Sequence, residues 1–426
     1  MIASTLEIKP ISHPLNATVC VPGSKSLTNR ALLIAALANG TTRLTNALFS
    51  DDSMYFAKAL QTLGFDVQLD EANHEMIVTG LGGKNPARKA ELFIGNAGTA
   101  ARFLSAFLTL GNGEYILTGD SRMKERPIGD LVDALHQLGV ELESTNNCPP
   151  VEIFAKGLPG GKTKIAGNIS SQFLSALLMV APYASARIEI ELTTDLNSKP
   201  YVDMTIAIMK DFGVEVERQG YEYFTIYPAS YLPITNYQVE SDASAASYFF
   251  AAPAICGGTV RVENISRNSI QGDIAFLDVL EQMRCEVTDG DNFIEVTGTT
   301  ELQGIDVDMR DIPDTAQTLA AIAPFALSRT RIRGIASARV KETDRVHATC
   351  TELARLGVSV EEYGDGMTIY PMEAMRPAVV QTYNDHRMAM AFSLIGLRFD
   401  GIIIENPSCV SKTFPNYFEV LDSLRD

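Results

Sequence analysis

The sequence predicts an α/β protein assembled from six copies of one structural unit. Three observations carry that prediction. Six segments share an order of polar turn, apolar helix and short strand; the step between them is nearly constant; and a second, amphipathic helix motif recurs in the same phase.

The first segment is GSKSLTNRALLIAALANGTTRL, in which Arg30–Asn39 is expected as helix, placing Lys25 and Arg30 near a helix N-terminus. The others follow in order: GNAGTAARFLSAFLTLGNGEYIL, GNISSQFLSALLMVAPYASARIEI, SDASAASYFFAAPAICGGTVRVEN, IPDTAQTLAAIAPFALSRTRIRG and NDHRMAMAFSLIGLRFDGIIIEN. Taking Gly40, Gly113, Ser185, Gly258, Arg329 and Asp400 as equivalent, the steps are 73, 72, 73, 71 and 71 residues. The second motif reads ALQTLGFDVQL, ALHQLGVELES, IMKDFGVEVER, VLEQMRCEVTD and ELARLGVSVEE, with a truncated sixth in VLDSLRD. These are amphipathic helices expected to stop at glycine and lead into an alternating strand. Helices of the first kind are apolar all round and belong inside; those of the second have one polar face and belong at the periphery. Six units divide as three plus three, with a boundary near residue 240, after YPASYLPITNYQVE.

Composition narrows the function. With 46% apolar residues the chain can bury two ordinary cores. Thirty-five Lys and Arg against 52 Asp and Glu leave a net charge of −17, which repels nucleic acid and anionic membrane at long range. A small anionic substrate fits only if basic residues gather locally. The six cysteines are scattered without a C-x-x-C pair, and MIASTLEIKP lacks the pattern of a secretory signal, so a reduced, cytoplasmic protein is expected. Apolar runs reach about ten residues, half of a membrane span. The five histidines never fall at zinc-ligand spacing, and no metal or cofactor is expected.

The turns before the apolar helices carry the chemistry: Lys25, Ser26 and Arg30; Asn96, Gly98 and Thr99; Ser170, Ser171 and Gln172; Asp242 and Ser244; Asp314 and Thr315; Asn384, Asp385, His386 and Arg387. Ser, Thr, Asp and Asn there are ordinary caps. Capping does not explain Lys25, Arg30 or Arg387, because cations oppose the dipole at a helix start unless an anion sits among them. SRMKERPIGDLVDAL adds Arg126 ahead of a helix. RVKETDRVHATCTELARLG adds Lys341, Glu342 and Arg345, with Lys341 and Arg345 expected on one helix face, and CVSKTFPNYFEVL adds Lys412. PGSKS is not a phosphate-binding P-loop, since Ser24 separates Gly23 from Lys25.

Eight stretches in order, PGSKSLTNRALLIAALA, GNAGTAAR, GDSRMKERPIGDLVDAL, SSQFLSALLM, SKPYVDMT, RVKETDR, YNDHRMAMAFSL and SKTFPNYF, closely resemble the class I 5-enolpyruvylshikimate-3-phosphate synthases over the whole chain. The resemblance implies a two-domain, enolpyruvyl transferase-like inverted α/β barrel of six ββαβαβ-type repeats. One domain is then 21–239, holding repeats one to three; the other is 1–20 plus 240–426, holding repeats four to six. It implies that the 5-hydroxyl of shikimate 3-phosphate attacks C2 of phosphoenolpyruvate while C3 is protonated, and that the adduct then loses phosphate.

Carried over by position, Lys25, Ser26, Arg30, Ser170, Ser171, Gln172, Ser198, Tyr201, Asp314 and Lys341 resemble the shikimate 3-phosphate site. Lys25, Asn96, Gly98, Thr99, Arg126, Gln172, Arg345, His386, Arg387 and Lys412 resemble the phosphoenolpyruvate site, between the domains. By the same resemblance Asp314 accepts the hydroxyl proton and Glu342, with Lys25, handles the methylene proton. It also implies a monomer inhibited by glyphosate at the phosphoenolpyruvate site. A related family acting on UDP-N-acetylglucosamine typically carries a loop cysteine that GDSRMKERPIG lacks. Two positions depart from the pattern: Ser337 stands where an asparagine is common, and Phe103 replaces a proline, with a ring expected to press on the Gly98 turn.

Overall fold

The computed structural model describes residues 4–425. The chain divides into two compact units, a central one, Gly23–Val239, and a terminal one, Met1–Pro22 with Glu240–Asp426. Twelve α-helices occur among the described residues. In the central unit they are α1 (Lys25–Leu37), α2 (Asp51–Thr62), α3 (Gly98–Leu108), α4 (Gly129–Gln137), α5 (Ser171–Val180) and α6 (Lys199–Asp211). In the terminal unit they are α7 (Ala243–Cys256), α8 (Phe276–Gln282), α9 (Ala316–Ile322), α10 (Arg345–Arg355), α11 (His386–Arg398) and α12 (Tyr417–Asp422).

The odd-numbered helices are the apolar segments of the repeat and are buried almost throughout, α3 and α9 at every residue. The even-numbered ones bury one stripe, such as Phe56, Ala57, Ala59 and Leu60 on α2. Burial therefore follows the all-round or one-sided distribution of apolar residues. Sheets form the outer layer around the buried helices, an α/β barrel turned inside out in each unit.

Each repeat contributes one sheet. In the second, the spatial order is Lys89–Phe93, Asn112–Thr118, Cys148–Lys156, Glu141–Thr145; the first pair is parallel and the other two antiparallel. The same pattern recurs in four more sheets, and in two of them the parallel strand comes from far along the chain. Tyr237–Gln238 joins Asn39–Thr45 in the central unit. In the terminal unit Leu15–Cys20 pairs in parallel with Gly258–Glu263, and Thr5–Ile8 pairs antiparallel with Ile402–Glu405 in a three-stranded sheet. Each unit is thus closed by its own first or last strand, which leaves fewer open sheet edges.

Two local expectations are corrected. The first apolar helix starts at Lys25, five residues earlier than expected, because Ser24 accepts from the Leu27 amide and caps it. Arg30 therefore lies in the second turn, inside the unit, and not at a helix N-terminus. The fourth amphipathic helix ends without glycine: Arg284 takes the left-handed position at φ 75°, where Gly64, Gly139, Gly213 and Gly357 stand in the other units.

Candidate active site

In the central unit, Arg30 organises one group of sequence-selected residues. It is 1% exposed, and its Nε donates to Thr205 Oγ1 at 2.7 Å. Nη1 donates to the Ser26 carbonyl at 3.0 Å, and Nη2 to the Tyr201 carbonyl at 3.1 Å and Ser175 Oγ at 3.5 Å. The Phe103 ring lies 5.2 Å from its guanidinium carbon, a cation–π contact. Burial pushes the Arg30 pKa down to about 10, and Arg30 makes no ion pair among the described residues. A buried cation with only neutral partners is a strong attractor for an anion.

Lys25, the first residue of α1, is paired with Asp52 of α2 at 3.5 Å. Arg126 is buried beside the α3 N-terminus and donates to the Asn96 carbonyl at 3.0 Å and Asn96 Oδ1 at 2.9 Å. A methyl group on Gly98 would lie 2.8 Å from the Arg126 guanidinium carbon, so the absence of a side chain at 98 is what lets Arg126 sit there. Gln172 Nε2 reaches Thr99 Oγ1 at 3.5 Å, joining the starts of α5 and α3. Ser170 caps α5 by accepting from the Gln172 backbone amide, Ser171 begins that helix, and Ser198 stands at the N-cap position of α6 in left-handed conformation at φ 59°.

In the terminal unit, Asp314, Lys341, Glu342, His386, Arg387 and Lys412 gather in one network around the Arg345 guanidinium. Arg345, at the start of α10, donates to Asp314 Oδ1 at 3.1 Å and Glu342 Oε2 at 2.8 Å, and to both oxygens of Asp385 at 2.7 and 3.2 Å. Burial alone would lower its pKa, but the carboxylates of Asp385, Glu342 and Asp314 raise it above the ordinary arginine value. Asp314 also receives Arg387 Nη2 at 2.8 Å and lies 3.7 Å from Lys341 Nζ. Lys412 Nζ is 3.8 Å from Glu342 Oε1, and His386 Nδ1 is 3.6 Å from Asp385 Oδ1. Four cations therefore surround three carboxylates, a locally basic patch in an acidic chain. One expectation changes: Lys341 precedes α10 in an irregular turn, so it reaches Asp314 through that turn and not along a shared helix face.

Comparison with known proteins decides the family. The EPSP synthase (3-phosphoshikimate 1-carboxyvinyltransferase) family model matches residues 9–421. The chain belongs to the EPSP synthase family. Curated relatives named 3-phosphoshikimate 1-carboxyvinyltransferase include one from Nostoc punctiforme, 51% identical over 416 residues and 97% of both chains. Another, from a Sulfurovum species, is 51% identical over 425 residues and 99% of both. A solved EPSP synthase from Acinetobacter baumannii superposes with a TM-score of 0.82 at 26% identity, covering 99% of this chain and 98% of that one.

Within this EPSP synthase family member, sequence reasoning missed three residues of the two clusters and saw only half the role of a fourth. Asp52 sits in SDDSMY, where two consecutive acids at a helix start read as dipole caps. Ser175 and Thr205 are lone hydroxyls inside the apolar runs FLSALLM and MTIAI, and that interruption is the signal that could have found them. Asp385 read as a cap, which it is, accepting from the Arg387 amide at 2.9 Å; its second duty toward Arg345 links two helices and leaves no mark on local sequence.

Proposed function

We propose that this chain transfers the enolpyruvyl group of phosphoenolpyruvate to the 5-hydroxyl of shikimate 3-phosphate, releasing phosphate and 5-enolpyruvylshikimate 3-phosphate. The observation that carries the reading, beyond family membership, is that Asp314 and Glu342 are both held by the Arg345 guanidinium amid further cations. A protein that only bound anions would gain nothing from carboxylates there, because like charges oppose each other. Two positioned carboxylates are what proton transfer at a hydroxyl and at a methylene carbon requires.

In this reading Asp314 takes the proton of the attacking hydroxyl as the new carbon–oxygen bond forms at C2, and Glu342, with Lys25, serves the proton that joins C3. Breaking the C2–phosphate bond and removing a C3 proton then regenerates the enol. Arg30, with Ser26, Ser170, Ser171, Gln172, Ser198, Tyr201 and Lys341, is assigned to shikimate 3-phosphate; its lack of an ion pair supports the assignment. Lys25, Asn96, Gly98, Thr99, Arg126, Arg345, His386, Arg387 and Lys412 are assigned to phosphoenolpyruvate, whose carboxylate and phosphate suit guanidinium forks. Both substrates held in register lose the entropy cost of a bimolecular step.

We assign the protein to the cytoplasm as a monomer inhibited by glyphosate in competition with phosphoenolpyruvate. All six cysteines are free, which fits a reducing compartment, and each unit closes its sheets within one chain. The deciding experiment is phosphate release on mixing the protein with phosphoenolpyruvate and shikimate 3-phosphate. Release only with UDP-N-acetylglucosamine would move the chain to the related transferases, and release with neither acceptor would make it a binder.

A further inference from the structure

Glu352 lies two turns along α10 from Arg345, on the same face of the helix. It is 1% exposed, yet both its oxygens are occupied. Arg355 Nη1 donates to them at 3.0 and 2.8 Å, the Gln381 backbone N–H donates to Oε2 at 3.1 Å, and the Tyr383 hydroxyl donates to Oε1 at 2.9 Å. Those last two donors belong to the turn that leads into α11. Tyr383 and Asn384 in that turn hold φ values of 54° and 55°, left-handed conformations that cost L-residues energy and persist only when neighbours impose them. The next residues are Asp385, which holds Arg345, and then His386 and Arg387. Burial and the Glu352 carboxylate push the Tyr383 hydroxyl up to about 12, so it stays a donor at neutral pH.

The structure assigns Glu352 as a positioning residue for phosphoenolpyruvate: it fixes the strained turn 381–384 to α10 so that Arg387 and Arg345 meet at Asp314. Helix α10 grips the turn at two places, Arg345 on Asp385 at its start and Glu352 on Gln381 and Tyr383 two turns later. The Asn406 side-chain amide supports it from another side, donating to Asn384 Oδ1 at 3.0 Å. Loss of the Glu352 contacts frees two consecutive left-handed residues to relax toward ordinary backbone, and Arg387 moves with them. Arg30 and its hydroxyl partners belong to other elements and are untouched.

The inference rests on the enolpyruvyl-transfer reading, and steady-state kinetics on two variants test it. Glu352→Gln replaces an acceptor by an amide that faces two donors, and Tyr383→Phe removes one half-exposed hydroxyl with little risk to folding. The expected result is a KM for phosphoenolpyruvate raised about tenfold in Glu352→Gln and roughly two- to tenfold in Tyr383→Phe, the range one hydrogen bond commands. The KM for shikimate 3-phosphate should stay within about twofold, and the double variant should be no worse than Glu352→Gln alone, because both remove the same contact. Unchanged phosphoenolpyruvate KM in Tyr383→Phe and in folded Glu352→Gln overturns the assignment. So does an equal rise for both substrates with a lowered melting temperature, which marks general damage. A wild-type protein without turnover refutes the functional reading itself, and this inference with it, before any variant is compared.

Discussion

Gly98 and Arg126 compete for one volume, and that changes what a methyl group at position 98 should do. The family resemblance, which sets Gly98 against phosphoenolpyruvate, implies that the methyl would meet the longer glyphosate first. In the structure it meets the Arg126 guanidinium, which is buried and tied to Asn96. Gly98→Ala should therefore raise the phosphoenolpyruvate KM as well as the glyphosate concentration for half inhibition; a variant resistant to glyphosate with wild-type KM would show that Arg126 yields at no cost. Phe103, expected to press on the Gly98 turn, instead faces Arg30. A desolvated cation–π contact is worth about 0.5–2 kcal/mol. Phe103→Leu should accordingly raise the KM for shikimate 3-phosphate by about two- to thirtyfold and Phe103→Tyr should restore it, measured at saturating phosphoenolpyruvate. At the carboxylates, Asp314→Ala and Glu342→Ala should each lower turnover by at least about a hundredfold, with shikimate 3-phosphate affinity by calorimetry largely kept.

The helices that repeat through the chain share a stop signal, and the exception is informative. Gly64, Gly139, Gly213 and Gly357 follow amphipathic helices at φ between 84° and 93°, the left-handed exit that lacks a Cβ penalty. Arg284 occupies the same exit at 75°, and its one ion pair among the described residues, with Glu301 at 2.9 Å, lies in solvent. An exposed pair of that kind contributes little. Relief of the left-handed strain should outweigh both that loss and the extra freedom glycine gives the unfolded chain. Arg284→Gly should stabilise the protein by about 1 kcal/mol, seen as a higher melting temperature with unchanged kinetics; a lower one would mean the Glu301 pair matters more than its exposure suggests.

Across the molecule, burial of ionisable groups sets the response to alkaline pH. Burial pushes the thiols of Cys256 and Cys285 up to about 11 and those of Cys350 and Cys409 up to about 12. It raises the Tyr248 hydroxyl to about 12 and pushes those of Tyr231 and Tyr417 well above the usual phenol value. Each group binds its proton more tightly folded than unfolded, so its contribution is complete below the unfolded value of about 9 to 10 and is lost as pH climbs through the folded value. Arg30 has the opposite sign, since its folded pKa lies below the unfolded one, but its contribution grows only above about pH 10. Melting temperature should therefore fall from pH 8 to 11, and the three buried thiols, those of Cys285, Cys350 and Cys409, should resist alkylation at pH 8 until the protein unfolds. Flat stability over that range would contradict the sign of these shifts.

The six-fold repeat was legible because each unit must bury one helix and expose another, and that demand writes a pattern into every copy: apolar all round in ALLIAALA, one-sided in ALQTLG. Basic residues before helices were legible because nothing local explains a cation where the dipole is positive. Where those cations point was decided by tertiary structure. Arg30 lies in the interior because the helix capped by Ser24 begins at Lys25, which puts Arg30 in its second turn, where it meets Thr205 and Ser175 from helices more than a hundred residues away in sequence. Asp52 and Glu352 sit in segments that read as ordinary amphipathic helix, and only packing brings them to Lys25 and to the turn before Arg387. A sequence records what each segment needs from its immediate surroundings, water or core, cap or dipole. It leaves no local trace of a partner fixed by the closure of a barrel, because that partner satisfies its own segment's rules equally well.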